Sequence, residues 1–148
     1  MKKDVIINIK GIYNAGEDDD TDVIEMFTTG EFYSKDGSYY ISYKESEATG
    51  FEGAITTLKV ENQDCVTLSR DGDGHELAQL IVQNGVRHQC HYDMGYGDLM
   101  IGVSGRSIRS TLDESGGLLE FKYSLDINTM HTSENEMTIL VQESSATL

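Results

Sequence analysis

The chain has 148 residues, with 26 Asp or Glu against 11 Lys or Arg, so its formal net charge is −15. That length suits one domain, read here over residues 1–148, and hydrophobic residues at 38% exclude a polar disordered chain. The charge excludes a general nucleic-acid surface, whose affinity comes from Lys and Arg, and it argues against anionic membrane partners.

The hydropathy pattern has period two almost throughout, the mark of strands with one apolar face. Val5, Ile7, Ile9 and Tyr13 alternate with Asn8 and Lys10 in a first strand, which Ile6 and Ile12 blur. Further strands are predicted over 24–33, 39–45, 55–61, 66–71, 77–82 and 86–92. The rest cover 99–103, 108–112, 119–127 and 137–141. Leu119, Phe121, Tyr123, Leu125 and Ile127 make the clearest alternation, with Glu120, Lys122, Ser124 and Asp126 on the wet face.

Turn chemistry separates these runs. Asp36-Gly37, Asn62-Gln63-Asp64, Asp71-Gly72-Asp73-Gly74, Asn84-Gly85 and Gly116-Gly117 supply the positive φ angles of tight hairpins. Short links between sequential strands imply an antiparallel meander. No window has a helical period, and the absence of Pro suits long, fully paired strands. The expected fold class is therefore all-β: a single antiparallel up-and-down β-barrel of about ten strands.

Two cysteines, Cys65 and Cys90, make no disulfide framework and read as free thiols. Met1-Lys2-Lys3 leads into Asp4, Asn8 and Lys10, so no apolar signal core follows. The expectation is a soluble, cytoplasmic protein.

Metal and nucleophile motifs fare poorly. Calcium loops starting at Asp18 or Asp71 would need Gly at the sixth position and Glu at the twelfth. They hold Val23 and Thr29, or Glu76 and Val82, instead. His88, Cys90 and His91 give two ligands on one strand face, short of the three that zinc takes. Adjacent strand positions also do not aim Cys90 at a His as a nucleophile dyad. No metal, cofactor or catalytic residue is assigned from sequence.

Parity yields the candidate site. If the apolar faces point inward, then Tyr43, Glu45, Arg70, His88, Tyr92 and Tyr123 are interior polar groups. Buried ions must be paired or hydrogen-bonded. One reading is a structural Glu45–Arg70 pair. The other is a cavity in which Arg70 clamps the carboxylate of a small, partly apolar ligand between aromatic walls. Alternatives are an enzyme using Glu45 or His88 as acid or base, and a protein-interaction module without a small-molecule ligand. Oligomeric state is not readable from the sequence.

Several blocks carry a family resemblance. They are Thr29-Gly30, Tyr40-Ile41-Ser42-Tyr43-Lys44-Glu45, Thr56-Thr57-Leu58-Lys59-Val60 and Val66-Thr67-Leu68-Ser69-Arg70-Asp71-Gly72. The Tyr92 to Leu99 segment with Tyr96-Gly97, and Gly117-Leu118-Leu119-Glu120-Phe121-Lys122-Tyr123, complete the set. Together the chain resembles the YwiB-like family of small bacterial proteins, a domain of unknown function placed among lipocalin-like, or calycin, β-barrels. The resemblance implies a closed antiparallel barrel in a bacterial cytoplasm and brings no catalytic residues. Met94 replaces a Thr of the family pattern, and the loop from Asp71 to Glu76 is more acidic than that pattern.

Overall fold

The computed structural model describes residues 2–14, 21–45, 53–72, 75–93, 98–127 and 130–143, with backbone only for 75–77, 92–93, 98 and 131–132. Ten strands follow one another: β1 (Lys3–Asn14), β2 (Thr21–Lys35), β3 (Ser38–Lys44), β4 (Ile55–Glu61) and β5 (Cys65–Gly72). Then come β6 (His75–Gln83), β7 (Arg87–Asp93), β8 (Asp98–Ser110), β9 (Gly116–Ile127) and β10 (Met130–Glu143). Each pairs antiparallel with its sequence neighbours, and β1 closes on β10 from Val5↔Glu143 to Asn14↔Glu134. The result is a closed up-and-down barrel, which leaves no sheet edge over the paired residues.

Turn residues act where their chemistry demands. Asp36 and Gly37 both have positive φ, 52° and 83°, and join β2 to β3 as a two-residue hairpin. Gly116 and Gly117, at φ 121° and 135°, open β9 in a conformation that L side chains rarely adopt.

The predicted break between 99–103 and 108–112 is absent, because 99–103 and 108–110 lie on the single strand β8, which ends at Ser110, two residues short of the predicted end. The register shifts between Gly105 and Ser107. This extra residue moves the inward positions from odd numbers (Ile101, Val103) to an even one (Ile108). A bulge of this kind preserves pairing while it breaks the alternation that sequence reading relies on. The first predicted strand, by contrast, has the expected inner face, with Val5, Ile7 and Ile9 buried.

The barrel wall has two heights. β8, β9, β10, β1 and β2 have 12–15 residues. β3 to β7 have 7–9. Near the end that carries the tight turns, the interior is filled by Ile7, Phe32, Ile41, Leu58, Val66, Leu119, Phe121 and Ile139, each at most 2% exposed. Phe32 also stacks on Tyr39 with centroids 5.5 Å apart. Burying each such side chain contributes roughly 1.5–3 kcal/mol.

Candidate functional site

Toward the other end the packing opens into a cavity of about 410 Å³. Its walls combine the inner face of the long strands with the ends of the short ones. Ile9 and Tyr13 come from β1, Ile24 and Met26 from β2, Tyr123 and Leu125 from β9, and Met137 from β10. Tyr43, Leu68, Arg70 and Leu80 face them from β3, β5 and β6. The volume falls within the ~300–1,000 Å³ typical of small-ligand pockets.

The polar cluster has a simple origin in register. Tyr43 pairs with Thr56, Thr56 with Arg70, and Arg70 with Ala78, so three polar side chains stand in one inward row across β3, β4 and β5. Glu45 follows one turn of the pleat beyond Tyr43, on the same side. Its backbone N–H donates to the Ala54 carbonyl at 2.8 Å, which extends the β3–β4 pairing past the end of β3.

Glu45 is the centre of the cluster. Its side chain is 1% exposed and that of Arg70 is 14% exposed. Arg70 Nη2 donates to Glu45 Oε2 at 3.1 Å and Nε at 3.3 Å. The Thr56 hydroxyl donates to the same oxygen at 2.5 Å, and Arg70 Nε also approaches Thr56 Oγ1 at 3.3 Å. A buried carboxylate is tolerated only with such compensation. The nearby Tyr43 hydroxyl is pushed well above its ordinary pKa by burial, with the Glu45 charge adding to the effect. It is therefore a neutral donor at any physiological pH.

The remaining wall is shaped by a glycine. A methyl group at Gly11 would lie 2.7 Å from the Tyr13 hydroxyl, so the Tyr13 ring folds back over Gly11. That hydroxyl reaches Met137 Sδ at 3.6 Å. On β10, the Asn135 amide donates to the Ser133 hydroxyl at 3.0 Å.

Of the six residues predicted from sequence, Tyr43, Glu45, Arg70 and Tyr123 line this cavity together. His88 does not line it. Its ring nitrogen meets Gln83 Oε1 at 2.7 Å within the β6–β7 hairpin. Val86, placed inward by the same parity, is 39% exposed because it bridges back to Gln83 at the turn. Cys90 stays buried, and its thiol accepts the Ile81 N–H at 3.4 Å. Burial raises its pKa. The backbone of Tyr92 pairs with Ala78 and Leu99, but its side chain lies outside the described residues. So do Glu17 to Asp20, Asp73, and Met94 with the turn around Tyr96.

Sequence reading missed Thr56, Tyr13 and Asn135 as cavity or cluster residues. Thr56 shares the parity of Leu58 and Val60, and that parity would have revealed it. Asn135 lay beyond the predicted start of the last strand, although it keeps step with Met137 and Ile139.

Comparison with known proteins agrees with this architecture. The uncharacterised β-barrel protein YwiB of Bacillus subtilis (strain 168) is 28% identical over 135 residues, which cover 91% of this chain and 90% of that protein. The crystal structure of the ywiB protein from Bacillus subtilis superposes with a TM-score of 0.78 at 25% identity, over 97% of this chain and 94% of that one. A family profile described as a domain of unknown function (DUF1934) matches residues 7–139. That match spans most of the barrel, from β1 to β10, and the chain belongs to the DUF1934 family.

Proposed function

We propose that the protein binds one small, partly apolar molecule in the cavity, in the manner of lipocalin-like barrels, and that it does so in a bacterial cytoplasm. The observation that carries this reading is the contrast between the two halves of the interior. One half is packed solid, while the other leaves about 410 Å³ between apolar walls and a fixed polar cluster. A concave pocket of that volume, with apolar walls and a few fixed polar groups, is the usual form of a small-ligand site.

A carboxylate-bearing ligand is the weaker form of the proposal. Arg70 already has Glu45 as counter-ion, and a second carboxylate would have to compete with it. Acid–base chemistry in the cavity would fall to Glu45, since His88 is turned to Gln83. The charge of −15 supports neither nucleic acid nor an anionic membrane as partner. Cys65 and Cys90 as free thiols suit a reducing compartment.

The test is titration with Nile red, an uncharged dye whose emission shifts in apolar surroundings. Saturable binding of one dye per chain is expected, with loss of binding in a Leu80→Trp variant that keeps its circular dichroism spectrum. Absence of a saturable site in the parent protein, or unchanged binding in the variant, overturns the proposal. Native mass spectrometry of gently purified protein would then identify any natural occupant by its mass.

A further inference from the structure

The polar lining of the cavity specifies the kind of head group its ligand carries, an inference that rests on the ligand-binding reading above. Among the described residues lining the cavity, Glu45 and Arg70 are the charged ones, one of each sign. They are paired at 3.1 Å, so together they bring no net charge to the interior. A ligand carboxylate that captured Arg70 would strip a buried Glu45 of its counter-ion. A ligand ammonium meets the converse problem. The Glu45 side chain is 1% exposed, so a cation reaches it only by displacing Arg70. Either exchange leaves an uncompensated ion in the interior, a costly state.

The rest of the polar lining is neutral. Tyr13 pairs in register with Asn135, and Asn135 with Tyr123, so a second polar row faces the cavity across β1, β10 and β9. It stands in addition to the row of Tyr43, Thr56 and Arg70 on β3, β4 and β5. Burial keeps the Tyr43 hydroxyl protonated. Phenol and amide groups both donate and accept hydrogen bonds, so they suit an uncharged polar group. Ile9, Leu68 and Leu80 supply apolar surface in the same cavity.

We infer that the cavity takes an uncharged amphiphile, an alcohol, ketone or amide. Its apolar body lies against Ile9, Leu68 and Leu80, and its head group hydrogen-bonds among the tyrosines and Asn135.

Three probes with one alkyl chain length test this: octan-1-ol, octanoate and octyltrimethylammonium, each titrated against bound Nile red at low and at high salt. The alcohol is expected to compete about tenfold more tightly than either ion. The chain's overall charge of −15 would by itself give a different order, with the cation first and octanoate last. The preference for the alcohol should persist at high salt, which screens exposed charges within roughly 10 Å at 0.1 M but screens buried ones much less. In Glu45→Gln, Arg70 loses its counter-ion, and octanoate should gain about tenfold on the alcohol. Should that variant fail to fold, the order in the parent protein decides alone. Either ion competing as tightly as the alcohol in the parent overturns the inference while leaving the cavity reading intact. So does an alcohol that fails to displace the dye, a gap to octanoate that closes at high salt, or a folded Glu45→Gln variant that keeps the parent order. If Nile red itself finds no saturable site, both readings fall.

Discussion

Arg70 Nη2 lies 3.1 Å from Glu45 Oε2, and the two side chains meet because register puts Thr56 between their strands. Glu45 is buried, so the pair behaves asymmetrically under mutation. Arg70→Ala leaves an uncompensated carboxylate and should cost about 3–5 kcal/mol. Exchanging both residues in Glu45→Gln/Arg70→Met should cost less than Arg70→Ala alone. Urea denaturation of the parent and the variants checks this. A double variant as unstable as Arg70→Ala would show that the packing of the arginine, not its charge, matters.

Tyr43 couples stability to alkaline pH. Burial raises the pKa of its hydroxyl above the ordinary value of 10.0. Above pH 10 the unfolded chain therefore loses this proton while the folded barrel keeps it. Stability from this group is fully present below pH 10 and is lost as pH rises toward the folded pKa. Tyr43→Phe should flatten the alkaline fall in stability measured by denaturant titration at several pH values. An unchanged alkaline slope in that variant would contradict the assignment.

Gly102 makes room for an ion pair on the outer face of β8. Arg87 reaches across it to Asp126, with Nε–Oδ2 at 2.9 Å and Nη2–Oδ1 at 2.7 Å. A methyl group at Gly102 would collide with both partners. Arg87 is 40% exposed, so solvent screens the pair and its loss alone should change stability little. The cost of Gly102→Ala should fall when Arg87 is first changed to Met, and thermal melts of the four proteins give that difference. Equal costs in both backgrounds would mean that the backbone, not the pair, resists the substitution.

The two halves of the barrel should differ in their response to truncation. Leu58 is fully buried in the packed half, and Leu58→Ala should cost about 2–5 kcal/mol. Leu80 borders the existing cavity at 8% exposure and loses fewer contacts. Leu80→Ala is expected at or below the lower limit of that range, and it should enlarge the space open to an apolar dye. Equal losses at the two positions would show that the cavity half is packed as densely as the half near the tight turns.

Much of this arrangement was legible from alternation alone. Ile41, Tyr43 and Glu45 share one parity, as do Val66, Leu68 and Arg70, and both sets do point inward. Alternation failed where the backbone departs from a simple pleat. The shift at Gly105–Ser107 hid the continuity of β8. On β7 the alternation holds, with His88 opposite buried Val103 and in step with buried Cys90, but His88 lies at the tight-turn end, where it meets Gln83 rather than the cavity. Period-two reading gives the face of a side chain and not its height in the barrel, and a bulge invalidates even the face from that point onward.

Local chemistry in the chain determines the strands, the turns at Asp36-Gly37 and Gly116-Gly117, the all-β class and the excess of negative charge. Each depends on neighbours in sequence: side-chain parity, permitted φ angles and a count of ionisable groups. Tertiary structure alone decided that Arg70 meets Glu45 at 3.1 Å, that Thr56 stands between their strands, and that a cavity remains beside them. Those facts depend on the register between strands and on the unequal heights of the barrel wall, and neither is encoded in any single strand.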